Sequence, residues 1–464
     1  MVGGAIATIV SLIILAWTKE IVGAILNGIF GISREGQALR VTTIVVAIIM
    51  IFVLDIAINV IQAGIRAFIV DNTPPHQQDT ANAWASRVSG VGNIVGYLFG
   101  YVDLPRYFSF IGDTEFKILC VVASVAMFST LAVSCLSISE RDPRIDGVPF
   151  EVKGGLLSFF RDLFRSMRNL PPQVKAVCFV QFFAWIGWFP FLFYTTTYIA
   201  EMYSQPIYAS NPNMTEDQIN EVWQEGTRQG TFALFIFAIT NFAATVFLPM
   251  IVTSSYKALQ AISSTPMLES SPDHGHRNGY FTRNVGSSAR KGFNFPFLAR
   301  LQVPGLTLRR AWLLSHLMFA ILMWSTVFTG SITGATIIVT LVGIPWAMTN
   351  WAPFALIAEE ISKRDAIRRS LDRPGETLNE RASSIAEDAD GEADQAGVVL
   401  GIHNVAIASP QIVATLVSSA IFRALQQPRG TVGDNSVSWV MRFGGLAAMG
   451  AAWLTTRVRE DDGS

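Results

Sequence analysis

The chain has 464 residues, of which 51% are hydrophobic and only 15% charged, with a net charge of −1. A soluble protein of this length carries roughly a quarter of its residues charged. The composition therefore points to a membrane protein, and the near-neutral balance gives no basis for a nucleic-acid partner.

A bilayer core of about 30 Å takes about 20 apolar residues in a helix. Ten segments approach that length, at 3–17, 41–62, 84–102, 116–137, 174–198, 229–252, 311–329, 333–356, 397–421 and 437–456. Lipid offers no partner to backbone amides and carbonyls, so each segment is expected as a helix. Gly92, Gly96, Pro190, Pro345, Pro353 and Pro410 fall inside these segments, where neighbouring helices relieve the broken backbone bonds. The first segment follows Met-Val-Gly-Gly with no basic residue ahead of it, a poor match to a secretory signal.

Lysine and arginine set the expected orientation. Of 34 such residues, 23 fall in 72–83, 138–175, 253–310, 357–396 and 457–464, and seven fall in the alternate stretches. The positive-inside bias assigns the first set to the cytoplasm, together with the C-terminus. The opposite face then holds 200–228, where Asn213-Met214-Thr215 forms a glycosylation sequon. Residues 253–310 and 361–396 read as polar, flexible cytoplasmic loops. The second of them turns from basic to acidic along its length, and Ser370 in it follows two arginines as a phosphate-acceptor candidate.

The basic loop 138–173 divides the helices into four before it (1–137) and six after it (174–456), with a short tail at 457–464. Carriers of the major facilitator type are built from two six-helix halves. The expectation is an all-α bundle of that type with ten transmembrane helices, lacking the first two of twelve.

Charge inside an apolar helix is costly and marks function. In the second segment Asp55, Asn59, Gln62 and Arg66 recur at i, i+4, i+7 and i+11, within about 60° of one another on a helical wheel. Such a stripe suits a water-filled pathway and a polyhydroxylated ligand that needs donors and acceptors together. Polar glue between helices is the rival reading for Asn59 and Gln62. About 16 Å of helix axis separates Asp55 from Arg66, so they cannot pair on one helix. Desolvation at the depth of Asp55 favours its neutral form, which would let it take and release a proton near neutral pH.

Other signals are weaker. Arg87 sits near a helix start, Glu201 and Arg228 flank one loop as candidate functional charges with interfacial charge as the rival reading, and His316 and His403 read as packed histidines. Trp185, Trp188, Trp346 and Trp351 offer faces that stack on sugar rings. Cys120, Cys135 and Cys178 lie in apolar runs without metal-ligand spacing. His274 and His276 fall in a polar loop, and no metal or other cofactor is implied.

Several separated stretches resemble the sucrose:proton symporters and their fungal α-glucoside relatives, a branch of the glycoside–cation symporters in the major facilitator superfamily. They are Leu54-Asp55 through Gln62 to Arg66 and Asp71, Thr80-Ala81-Asn82-Ala83, Val91-Gly92-Asn93, Gly96-Tyr97 and Trp188-Phe189-Pro190-Phe191. Gly343-Ile344-Pro345, Pro353-Phe354-Ala355-Leu356, Leu400-Gly401 to Asn404, and Pro410-Gln411 continue the series in the same order. The resemblance implies that Asp55 couples transport to protons and that Arg66 is needed for substrate transport. Plant members carry further acids and an Arg-Glu pair after the Trp-Phe-Pro-Phe stretch. The matching positions here are Tyr194, Thr196 and Ala200-Glu201, so only Glu201 is retained. It also aligns residues 3–17 with the family's third helix. The expected activity is proton-driven symport of sucrose or a related α-glucoside such as maltose, in the plasma membrane of a fungus-like cell or in a vacuolar membrane. A non-transporting sugar sensor on the same fold, or an inactive truncated product, is the alternative. No enzymatic site is apparent beyond Glu359-Glu360, which read as a cap on the basic loop after them.

Overall fold

The computed structural model describes residues 2–30, 37–72, 78–137, 170–252, 303–371 and 396–459, with a few helical positions between 161 and 168. Within them the chain forms helices joined by turns. These are α1 (Val2–Ala16), α2 (Thr18–Phe30), α3 (Gln37–Asn72), α4 (Gln78–Tyr101), α5 (Leu104–Phe108) and α6 (Glu115–Ser137). They continue as α7 (Pro172–Ser210), α8 (Glu216–Ile251), α9 (Leu308–Ser325), α10 (Ile332–Leu371), α11 (Ala396–Ala408), α12 (Pro410–Leu425) and α13 (Ser436–Thr455).

A helix stands at each of the ten expected places, but ten spans are not what the described residues show. Six helices are long and apolar enough to cross a membrane, or seven if the pair α1–α2, bent by 74°, counts as one span. Composition explains the shortfall. The helix α4 carries Gln78, Asp79, Asn82, Arg87 and Asn93, and α9 opens on Arg309 and Arg310 within only 18 residues.

Boundaries move for identifiable reasons. The expected outer loop 200–228 is mostly helix, because α7 runs on to Ser210 and α8 starts at Glu216. A capping box sets that start. The Thr215 hydroxyl accepts from the Gln218 amide at 3.4 Å, and the Gln218 side chain accepts from the Thr215 amide at 3.0 Å. Within 397–421, Pro410 has no amide to donate and interrupts the hydrogen-bond ladder at Ser409, but the backbone stays helical there and Gly401–Leu425 counts as one span. The helix α10 continues to Leu371, into a stretch expected as loop. Residues 253–302, with His274 and His276, lie outside the described residues, as do 372–395 and the side chain of Ser370.

The chain divides into two compact units, Met1–Gly154 with Thr227–Ala238, and Gly155–Gly226 with Ile239–Ser464. In the first, α1 packs on α3 and α6. A Cβ at Gly4 would stand 3.0 Å from Ile61 and 3.2 Å from the Ala57 carbonyl oxygen, so glycine sets how closely α1 lies on α3. In the second unit α7 is the central helix, packed against α10, α11, α12 and α13. Its core is aromatic. Trp188 is 1% exposed and its ring lies 4.1 Å from Phe319, centroid to centroid. At the crossing of α7 and α13, Gly187 meets Gly444 backbone to backbone.

Candidate functional site

The helix α3 is continuous over 36 residues, and Asp55 lies at its middle. Its partner-facing side is fixed by Ala57, Val60 and Ile61, which meet Gly4 of α1. Asp55, Asn59 and Gln62 lie about 170° around the helix from that face, at 100° per residue. All three are exposed in this structure. The Asn59 carboxamide donates to the Asp55 backbone carbonyl at 2.8 Å, which leaves the Asp55 carboxylate out of that bond. Arg66 occupies the same register on α3, and its side chain lies outside the described residues. The geometry is a polar stripe on an otherwise apolar helix, turned away from the neighbour that holds the helix in place. It supplies a titratable acid and amide donors and acceptors along one line.

Glu201 belongs to the second unit and is not an interfacial charge. It is 6% exposed, and its Oε2 has no hydrogen-bond partner. One turn on, the Gln205 carboxamide accepts from the Gly433 amide at 2.7 Å and donates to the Asp434 carbonyl at 3.4 Å. This holds the 426–435 turn against α7. Arg228, expected as the charge across the loop from Glu201, instead pairs with Glu115 at 2.7 Å. Arg87 lies over the Trp84 ring at 5.3 Å. Asn213 is exposed in the short turn between α7 and α8. Among the described residues no cluster of three His, Cys, Asp or Glu is placed to hold a metal.

No family model matches the sequence, but individual relatives do. The general alpha-glucoside permease of Schizosaccharomyces pombe is 35% identical over 96% of this chain and 77% of its own length. The chain belongs to the sucrose and α-glucoside symporter family. Sucrose transport protein SUT5 of Oryza sativa subsp. indica is 23% identical over 82% of this chain and 61% of its own length. The rice protein SUT2 of the same subspecies is 27% identical over 46% of this chain and 44% of its own. Membership of a permease family makes this an integral membrane transport protein rather than an enzyme, and its all-helical architecture fits a transporter of the major facilitator type.

In this transport protein Trp188 sorts differently from the sequence reading, while the two histidines are packed as expected. Trp188 is core, wedged between Phe191 and Phe319. Trp185 and Trp346 are half-buried and meet edge to face at 5.9 Å. His316 is buried beside Trp312, ring centroids 5.3 Å apart. His403 is fully buried, with its Nε2 3.4 Å from the Gln181 Nε2 and its ring edge-on to Phe354 at 4.9 Å. Gln181 escaped sequence reasoning, although a lone amide in the run Val177–Phe183 is a visible signal. Sequence reasoning also missed the Lys117 ammonium, which pairs with Glu20 at 2.5 Å and Asp113 at 2.7 Å. That contact ties α2 to α6 and holds the Asp113 carboxyl below its ordinary range, chiefly through the Lys117 hydrogen bond.

Proposed function

We propose that the chain carries sucrose or a related α-glucoside, such as maltose, across a membrane in symport with protons. The observation behind this reading is the permease likeness over 96% of the chain combined with an acid at the middle of a polar stripe on α3. Asp55 is the coupling carboxylate, since it is the acid in that stripe. Asn59 and Gln62 supply amide groups to sugar hydroxyls, and Arg66 and Glu201 serve substrate transport. The proton is the coupling ion, and no cofactor takes part. The turn holding Asn213 faces the outside, where the sequon accepts a glycan. The membrane is the plasma membrane of a fungus-like cell. Relatives named as permease and transport proteins favour carriage over sugar sensing.

The test is uptake of labelled maltose and sucrose by the purified chain in sealed vesicles with an alkaline interior. Accumulation above the external concentration, abolished by a protonophore, is the expected result. Equilibration that ignores pH and protonophore contradicts symport and leaves a facilitator. Absence of any α-glucoside flux in vesicles shown to hold the folded protein contradicts the reading as a whole.

A further inference from the structure

Buried polar atoms in a folded protein are almost always hydrogen-bonded, so a group of them left open on one face calls for a partner, water or ligand. The second unit holds such a group on two neighbouring helices. Gln181 is wholly buried, and its Oε1 has no partner. One turn along the same face of α7, the buried Nε1–H of Trp185 has none either. The Trp185 ring meets Trp346 of α10 at 5.9 Å. One turn further along α10, Thr349 is 2% exposed with its hydroxyl unpartnered. Other buried groups of this unit, such as Ser204, Ser418 and Ser436, are open too, and what sets this group apart is its place on two packed helices beside a pair of indole rings. The Gln181 amide nitrogen is oriented by His403, which leaves the oxygen side as the acceptor.

We infer that Gln181, Trp185, Trp346 and Thr349 form a saccharide-binding subsite on α7 and α10. The chemistry selects the ligand. Gln181 Oε1 accepts, Trp185 Nε1–H donates, and Thr349 does either, which matches the mixed demand of vicinal hydroxyls. Two indole rings supply apolar faces for the C–H surface of a pyranose. The group contains no charged side chain, so an ionic ligand would be buried without a counter-charge and is disfavoured. A neutral polyol ring fits, and a carboxylate or phosphate does not. The subsite rests on the reading that the chain carries α-glucosides and assigns residues of the second unit to that task.

Two substitutions on the full chain test it, with maltose and sucrose as probes and affinity measured by titration of the purified protein. Gln181→Leu removes the acceptor. Trp185→Phe keeps an aromatic ring but deletes the donor. Each is expected to weaken binding of at least one sugar by about fivefold to tenfold, the worth of one hydrogen bond, with Trp185→Phe melting close to the parent. Wild-type affinity for both sugars in both variants overturns the subsite and leaves the transport reading standing. If Gln181→Leu does not fold, unchanged affinity in Trp185→Phe suffices to overturn it. A parent chain that binds neither sugar contradicts the subsite and the transport reading together.

Discussion

Replacing Gly187 with alanine isolates the contact that sets the spacing of the second unit. A Cβ there would stand 2.5 Å from the Gly444 carbonyl oxygen and 3.2 Å from its carbon. Both are backbone atoms, so no flexible side chain can yield, and the helices must part by about 0.9 Å to reach ordinary contact. Parting α7 from α13 loosens Val440, Met441 and Ala448, all at most 2% exposed. A radial gap of that size forfeits up to about half of the dispersion attraction across the seam. Overpacking of this kind costs about 1–3 kcal/mol, while alanine returns about 1 kcal/mol of helix propensity. The net is a loss of up to about 2 kcal/mol, or up to roughly 3 °C in melting temperature for a unit of this size. Gly92→Ala is the control, because nothing lies within 4 Å of a Cβ there. It is expected to melt at or slightly above the parent. Thermal unfolding of the three purified proteins in one detergent reads the difference. A Gly187→Ala protein that melts with or above Gly92→Ala refutes the close backbone crossing.

The sequon and the cap of α8 share Thr215, so two substitutions separate them. Asn213→Gln is expected to remove a glycosidase-sensitive mobility shift with stability unchanged, whereas Thr215→Ala removes the shift and about 1 kcal/mol of stability. Equal melting of the two contradicts the capping box. Because Asp113 titrates below its ordinary range when paired with Lys117, its contribution is present above the unfolded carboxyl value and is lost as pH falls through the folded one. Lys117→Met should flatten the acid limb of stability against pH, and an unchanged limb contradicts the pairing.

Much of the fold was legible because lipid-spanning helices need long apolar runs, and a helix stands at each of the ten predicted runs, although only six or seven of the described helices qualify as spans. Their ends were not legible from hydropathy. Glu201 sits in a polar stretch after an apolar core, so α7 read as ending near 198, although the helix continues past Pro206 to Ser210. The capping box at Thr215 carried the missing signal, a Thr followed three residues later by Gln. The stripe of Asp55, Asn59 and Gln62 was legible as a shared face because register alone fixes it. The relation of that face to α1 was not, since it depends on Gly4 seating against Ala57 and Ile61. Trp188 and Gln181 show the same limit. Type and spacing do not tell a packed tryptophan from an open one, or a buried amide from a lipid-side one, until the partners on α9, α10 and α11 are in place.

In the proposed symport, Asp55 carries the proton that drives sugar uptake. Asp55→Asn keeps the shape and a hydrogen-bonding amide while removing the titratable group. The decisive measurement is maltose and sucrose accumulation in vesicles as a function of external pH, normalised to inserted protein, for parent and Asp55→Asn. Loss of uphill accumulation in the variant, with sugar binding retained, is the predicted result. A variant that still concentrates sugar with the parent's pH dependence contradicts the account.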